Sequence, residues 1–185
     1  MRFFQSLLAT FAGRPIGQGD IKSQNTKMIQ RIQSIFLLLL ALCMIAVLFL
    51  PIWHKADPIS GQELTLTATS LGYNKPGAGL AAPGNVWLIA AFAVASAAVA
   101  LFEIFQFRNR FLQLKLGMLN LLLILCTIGA GFYFSNLGEQ MLNVKMLGTY
   151  QAGFYLPTLA LLLNLLANRF IRRDEQLVRS MDRLR

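Results

Sequence analysis

The sequence is poor in charged side chains, histidine and cysteine. Charged residues make up 14% of its 185 residues, whereas a soluble domain carries about 25%. The single histidine, His54, cannot supply the paired ligands of a bis-histidine haem or of a zinc site that needs two histidines. The two cysteines do not form a CxxC pair, and no nucleophile or phosphate-binding motif occurs. These deficits exclude a soluble globular domain and a disulfide scaffold, and we expect the protein to bind no cofactor.

Hydrophobic residues, by contrast, make up 56% of the chain. They lie in long runs, and a helix needs about 20 mostly apolar residues to cross the hydrocarbon core of a bilayer. Four runs are long enough, and none has Lys or Arg in its interior. The predicted spans are residues 33–53, 86–105, 117–134 and 152–170. The sequence therefore predicts an all-α membrane protein, a four-transmembrane-helix bundle over residues 28–170.

The basic residues are distributed unevenly between the two sides of these spans. The chain has 17 Lys and Arg against 8 Asp and Glu, and basic residues concentrate in the cytoplasmic loops of membrane proteins. With both termini in the cytoplasm, only Lys55, Lys75 and Lys145 lie outside. Trp53 and Trp87 then mark the outer boundary of the membrane. We therefore expect a multi-pass protein of the cytoplasmic (inner) membrane, whose partner is the lipid bilayer rather than nucleic acid.

The segments between the spans are two outer loops, residues 54–85 and 135–151, and one inner loop, residues 106–116. In the first outer loop, residues 63–69 alternate polar and apolar side chains, which predicts a β-strand. Residues 141–147 in the second outer loop are also compatible with a strand. Because a lone strand leaves its backbone hydrogen bonds to water, we expect the two segments to pair into a small extracytoplasmic β-element.

Residues 1–27 precede this pattern and are interpreted as a flexible cytoplasmic lead-in. Their first apolar stretch resembles a weak signal peptide, but Gln5 and Ser6 interrupt it. Glycines and Pro15 make the rest of the segment a poor former of helix or strand. Met28 shortly precedes the first span, so two hypotheses stay open. Either Met28 is the natural start, or residues 1–27 belong to the natural protein.

Three polar side chains inside the predicted spans lie at a similar depth, about one turn from the inner side: Glu103, Asn120 and Asn164. Polar side chains of transmembrane helices tend to face other helices, so these three could form a buried cluster. In a functional interpretation, Glu103 is a protonatable or ligand-binding carboxylate. In a structural interpretation, Glu103 pairs with Arg108 or Lys115, and the asparagines join helices.

Residues 171–185 continue beyond the last span with strong helix formers, and they predict a basic amphipathic cytoplasmic helix. Apolar residues recur near one face of this helix, and the remainder is largely basic. Such a helix could lie on the inner leaflet or dock another membrane or cytoplasmic protein. The alternative is a solvated extension. The candidate docking residues are Arg172, Arg173, Leu177, Arg179, Met181 and Arg183.

Two end segments resemble a known family. They are MIQRIQSI, which starts at Met28, and RRDEQLVRSMDRLR, which starts at Arg172. Both are similar to segments of the uncharacterised four-span proteins of Bacteroidetes that are grouped as domain of unknown function 4293. The likeness extends from Met28 to Arg185 and leaves residues 1–27 outside. It implies an inner-membrane location, and it brings no known activity, cofactor or catalytic residue.

Two functional hypotheses follow from these features, and neither is enzymatic. The first is an accessory or scaffold subunit that docks partners through the basic C-terminal helix. The second is a small transporter or ligand-binding membrane protein that uses the polar cluster around Glu103. A membrane enzyme is the weakest alternative, because no motif supports it.

Overall fold

The computed structural model describes residues 33–58, 61–73, 86–106, 109–141 and 146–182, and for residues 110, 174, 175 and 177–182 it describes the backbone only. The described chain is mostly helical and includes a four-stranded sheet. Three of its helices, which begin at Trp87, Arg110 and Ala152, are long and apolar enough to cross a membrane. In chain order the elements are α1 (Gln33–Ala46), β1 (Trp53–Ala56), β2 (Glu63–Leu66), β3 (Leu71–Tyr73), α2 (Trp87–Phe105), α3 (Arg110–Met141), β4 (Thr149–Tyr150) and α4 (Ala152–Asp182).

α1 ends earlier than the first predicted span, which extends to residue 53. After Ala46 the backbone closes into tight turns, in which the N–H groups of Leu48 and Phe49 donate to carbonyl groups three residues back. Pro51 follows, and proline has no N–H to continue a helix and disfavours helical backbone in the residue before it. Over the described residues, α1 is therefore shorter than the helices that are long enough to cross a membrane.

α3 is longer at both ends than the third predicted span. It begins at Arg110 because Asn109 caps it, with the side-chain oxygen accepting a hydrogen bond from the N–H three residues on (3.4 Å). The inner loop predicted over residues 106–116 is therefore mostly helix. At its other end α3 continues to Met141, into the predicted outer loop 135–151.

α4 is one continuous helix from Ala152 to Asp182. Its membrane-compatible apolar part ends at Arg173, and the more polar remainder continues in the same direction. The predicted span over residues 152–170 and the predicted helix over residues 171–185 are thus parts of one helix as far as Asp182.

The four strands form an antiparallel sheet in the order β3-β2-β1-β4. The strand predicted within residues 63–69 is present as β2, which lies between β1 and β3. The prediction that residues 141–147 pair directly with this strand is wrong, because β2 is paired on both sides, with β1 and β3. Met141 belongs to α3, and residues 142–145 of the predicted strand lie outside the described residues. The second outer loop nevertheless contributes β4, which pairs with β1 of the first outer loop, so both loops supply strands to one sheet.

One cluster of buried side chains joins all four described helices. It includes Leu40 of α1, Ala97 of α2, Ile124 of α3 and Leu163 of α4. The buried face of α2 is mostly alanine, and small side chains let neighbouring helices approach closely. The four helices therefore pack around a shared core.

A second cluster lies beneath the sheet and includes Trp53, which is 1% exposed. Its other members include Leu66 of β2 and Phe134 of α3. A Cβ atom added at Gly138 would lie 2.8 Å from the Trp53 ring, so the indole is enclosed by protein. The interpretation of Trp53 as a membrane-boundary anchor is therefore wrong, whereas Trp87 is 69% exposed.

All four strands lie at one end of the helices. At the start of α2, Ala90 N–H donates to the Ala68 carbonyl (3.2 Å). At the start of α4, Gly153 N–H donates to the carbonyl of Pro51, just before β1 (3.0 Å). We term this the sheet end. The opposite end, where α1 and α3 begin and α2 finishes, is termed the polar end.

A buried lysine forms an ion pair with a partly exposed glutamate at the sheet end. Lys55 lies on the covered face of β1, opposite Leu64 of β2, and is 3% exposed. Its Nζ donates to Glu139 Oε2 of α3 (2.5 Å), and Glu139 Oε1 accepts a hydrogen bond from Gly148 N–H (2.5 Å). A buried ammonium group needs such a partner. The pair therefore ties together β1, α3 and the residues before β4.

Candidate functional site

Glu103 lies near the end of α2 and is completely buried. Its exposure is 0%, and neither carboxylate oxygen has a hydrogen-bond partner among the described residues. It shares the buried face of α2 with Ser96 and Ala100. Burying a carboxylate without a partner is costly. This carboxyl group therefore needs a bound proton, a cation or a counter-charge.

The structural interpretation pairs Glu103 with Arg108 or Lys115. Arg108 lies outside the described residues. Lys115 is exposed, and its Nζ lies 4.5 Å from the centre of the Phe111 ring, which is a cation–π contact. Since Glu103 has no partner within the described part of the chain, Lys115 does not supply its counter-charge.

Asn120 is buried where α2 meets α3. Asn120 Oδ1 accepts a hydrogen bond from Ser96 Oγ (2.5 Å), whereas Asn120 Nδ2 has no partner among the residues described. The contact defines the register of the two antiparallel helices. Glu103 lies seven residues beyond Ser96 on α2, and Gln113 lies seven residues before Asn120 on α3. Both steps lead about 10.5 Å toward the polar end, so Glu103 and Gln113 are at the same level. Gln113 is buried, so a buried amide lies at the level of the buried carboxyl group.

α4 adds two asparagines to the same region. Asn164 Nδ2 donates to the Gly117 carbonyl of α3 (3.0 Å), and Asn164 Oδ1 accepts from Asn168 Nδ2 (3.4 Å). A Cβ atom added at Gly117 would collide with the Asn168 side-chain amide. Gly117 therefore lets α3 and α4 approach closely enough for the asparagines to reach across.

These side chains form a column through the polar half of the helices, which we term the polar core. Its atoms include every buried side-chain nitrogen or oxygen without a partner in the described ranges. Such atoms are rare in folded proteins, so their concentration makes the polar core the candidate site. The polar core comprises Ser96, Glu103, Gln113, Asn120, Asn164 and Asn168.

Glu103, Asn120 and Asn164 are the three members predicted from the sequence, and the structure buries all of them. It does not join them by hydrogen bonds to one another within the described residues. Asn120 bonds to α2 at a level about two turns from Glu103. The members are therefore spread along the helix axis instead of lying in one layer.

The remaining members were not predicted, although the spacing of polar residues contained a signal. Ser96 precedes Glu103 by seven residues, and Gln113 precedes Asn120 by seven. Asn168 lies four residues after Asn164, which is one of the predicted site residues. Intervals of four and seven residues lie on one face of a helix, so each of these side chains shares a face with a predicted site residue.

The predicted docking residues lie along the last turns of α4. Arg172 and Arg173 are exposed, and with Arg169 they line a groove of about 540 Å³ between α3 and α4. We term it the α3–α4 groove. Its other lining residues are Met118, Leu121, Leu165, Asn168 and Gln176. The side chains of Leu177, Arg179, Met181 and Arg183 lie outside the described residues.

A second hollow, of about 370 Å³, lies at the sheet end. Its lining includes Glu139, whose oxygens are already bonded to Lys55 and Gly148. Across the described ranges, no three His, Cys, Asp or Glu side chains are grouped so that they could hold a metal ion. The polar core is therefore the stronger candidate.

Comparison with known proteins adds a family but no activity. A comparison with curated proteins finds no match. Residues 29–184 match the family described as a domain of unknown function (DUF4293). The matched range includes every helix and strand described above, and it confirms the resemblance of the two end segments. The chain therefore belongs to the DUF4293 family.

Proposed function

We propose that this protein is a non-enzymatic multi-pass protein of the cytoplasmic membrane that binds a proton or another small cation at Glu103. The proposal rests on one observation, the complete burial of a carboxyl group that has no partner among the described residues. Ionisable groups within membrane segments are rare and costly, and they commonly serve transport or ligand binding. The protein is thus a small transporter or ligand-binding membrane protein.

The chemistry of the polar core suits a small cation. Gln113 lies at the level of Glu103, and Asn168, which contacts α3 at Gly117, has a buried Oδ1 atom without a partner among the described residues. Carboxylate and amide oxygens are ligands for hard cations. In this proposal the Glu103 carboxyl group supplies the negative charge, and amide oxygens of the polar core are the available neutral ligands.

The surface of the helices supports placement in a membrane. Large apolar side chains are exposed on all three long helices, for example Phe102, Leu122 and Leu162. Exposed apolar surface on this scale favours contact with lipid. Trp87 and Tyr133 are exposed near the sheet end, and such aromatic side chains favour a membrane–water interface.

The distribution of charge supports the orientation. Lys115, Arg169, Arg172 and Arg173 are exposed at the polar end, whereas Lys55 at the sheet end is buried in an ion pair. Because basic residues remain on the cytoplasmic side, we place the polar end and both termini in the cytoplasm. The sheet lies outside, and α1 is the fourth span.

Thiol labelling in intact cells tests this orientation. A Thr69→Cys variant, which is exposed at the sheet end, should react with a membrane-impermeant maleimide from outside. A Gln176→Cys variant, exposed at the polar end, should react only after permeabilisation. The opposite pattern would invert the proposed orientation.

Carbodiimide labelling of the full chain in liposomes tests the function. Dicyclohexylcarbodiimide partitions into membranes and couples to protonated carboxyl groups there, so peptide mass spectrometry should find Glu103 labelled several-fold faster than Glu139. The variant Glu103→Gln should lose this label and stay folded. A cation that binds at the site should slow the labelling as its concentration rises.

One outcome would overturn the proposal. If Glu103 resists labelling at every pH and Glu103→Gln unfolds the protein, the carboxyl group is locked in an internal ion pair. Glu139 provides the internal control, because it is partly exposed and already paired with Lys55.

An accessory or scaffold subunit is the second candidate. The observation that favours it is the continuation of α4 beyond its apolar part, from Arg173 to Asp182. A helix that projects from the membrane can dock a partner. Deleting residues 174–185 should then release a stoichiometric partner that co-purifies with the full chain in mild detergent. Retention of that partner by the deleted form would contradict this function.

A further inference from the structure

The α3–α4 groove changes in character along its length. On α4 its lining runs from Leu165 through Arg169 to Arg172 and Arg173. These residues recur at intervals of three or four, so they form one stripe along the helix. On the α3 side the lining is apolar, with Met118 and Leu121. The groove is therefore apolar at one end and strongly basic at the other.

The basic part lies where the membrane-compatible part of the helix finishes. Arg173 is the last residue of that part of α4. Leu165 precedes Arg172 by seven residues, so at 1.5 Å per residue it lies about 10.5 Å nearer the sheet end. The arginines are thus at headgroup level when the apolar lining is in the hydrocarbon layer.

We propose that the α3–α4 groove binds an anionic phospholipid of the surrounding leaflet. The phosphate lies between Arg169, Arg172 and Arg173, and one acyl chain follows the apolar lining. Guanidinium groups present paired N–H donors that match phosphate oxygens. None of the described lining residues is acidic, so none of them opposes the charge of the headgroup. Basic pockets between membrane helices bind anionic headgroups in this way.

Charge and shape together favour this occupant over the others. A zwitterionic lipid has no net charge to balance three arginines. Free phosphate would contact the arginines but would make no contact with the apolar lining. A second copy of the chain would bring like charges together, which opposes association.

Lipid binding to the purified full chain tests the proposal. In zwitterionic detergent, native mass spectrometry should show that phosphatidylglycerol is retained at least about tenfold better than phosphatidylcholine. The variant Arg169→Gln/Arg172→Gln/Arg173→Gln should abolish this preference. The matched control Arg179→Gln/Arg183→Gln/Arg185→Gln removes the same charge outside the described lining, and it should keep the preference.

A second measurement uses only the unaltered protein, so it does not depend on the folding of a variant. Phosphatidylglycerol with a photoreactive acyl chain should crosslink to the segments that contain Met118, Leu121 or Leu165. Excess phosphatidylglycerol should suppress the crosslink, and inorganic phosphate at the same concentration should not.

Other results would overturn the proposal. Equal losses in the two triple variants would mean that binding follows overall charge. Full competition by inorganic phosphate would indicate a site for a soluble anion. Crosslinks confined to other faces, or a lipid-free dimer or protein partner that covers the groove, would assign the groove to another occupant.

Discussion

The two ends of the molecule differ in whether a buried ionisable side chain has a partner of opposite charge among the described residues. At the sheet end, Lys55 is 3% exposed and is bonded to Glu139 of a neighbouring helix. At the polar end, Glu103 is 0% exposed and has no partner among the described residues. Both groups cost free energy to bury. At the sheet end the ion pair offsets that cost, whereas at the polar end no described residue does, and this difference is the basis of the proposed proton or cation site.

Neutral polar groups show the same difference. Toward the sheet end, Thr127 Oγ1 and Ser135 Oγ donate to carbonyl groups of their own helix (2.9 and 2.8 Å). In the polar core, Asn120 bonds to a different helix and keeps an unpartnered amide nitrogen within the described residues. Among the described residues, the buried side-chain atoms that lack a hydrogen-bond partner therefore all lie toward the polar end.

The largest expected effect comes from the same substitution at the two glutamates. Glu139→Gln leaves the Lys55 ammonium group buried without its counter-charge, so we expect the free energy of unfolding to fall by about 2–3 kcal/mol. The value is below that of a fully buried pair because the Glu139 side chain is 25% exposed. Glu103→Gln removes no described contact and should leave stability unchanged or higher. Reversible unfolding in mixed detergent micelles measures both.

A double variant provides the control for this pair. Lys55→Met/Glu139→Leu removes both charges together, and it should recover most of the stability lost in Glu139→Gln. If the two glutamate variants are equally unstable, the contrast between the two ends is wrong, and Glu103 has a fixed partner.

The next effect concerns the close approach of α3 and α4 at the polar end. In Gly117→Ala the added methyl group collides with Asn168, so we expect a loss of about 1–3 kcal/mol. Gly129→Ala is the matched control in the same helix, because no atom lies within 4 Å of its added Cβ. That variant should change stability by less than about 1 kcal/mol. Thermal unfolding in detergent compares them, and equal losses would mean that α3 and α4 do not approach closely at Gly117.

The smallest effect tests the hydrogen bond between α2 and α3. Ser96→Ala removes the donor to Asn120 and should cost about 0.6 kcal/mol, the average for such bonds in membranes. Ser135→Ala removes a hydroxyl group whose hydrogen bond, among the described residues, is to a carbonyl group of its own helix, so it should cost less. A Ser96→Ala variant as stable as Ser135→Ala would show that this contact does not set the register of the polar core.

The long helices could be predicted from the sequence because hydrophobic length is a strong local signal. α2 lies within one residue of its predicted span at the start and finishes where predicted. Boundaries that depend on particular side chains were less accurate. The Asn109 cap places the start of α3 before its apolar run. At α1, the helix ends before Pro51 although the apolar run continues. The limits of an apolar run therefore do not give the limits of the helix.

The sheet was only partly predictable, since strand pairing depends on contacts distant in sequence. The alternation at residues 63–69 indicates β2, but β4 has two residues and no pattern of its own. Likewise, the burial of Lys55 depends on a glutamate 84 residues away. For the site, the carboxylate within an apolar run was visible in the sequence, whereas the burial of the amide side chains depends on how the helices pack.

β4 has a consequence for the order in which the protein is assembled. β1, β2 and β3 precede α2 in the chain, so they can pair early during synthesis. The last strand lies directly before α4, and its partner β1 precedes α2. The edge of β1 that pairs with β4 therefore has no partner strand until residues 149–150 have been synthesised. Closing that edge adds backbone hydrogen bonds between the strand after α1 and the strand before α4. We therefore expect a chain shortened before Thr149 to keep β1, β2 and β3 but to lack this last connection.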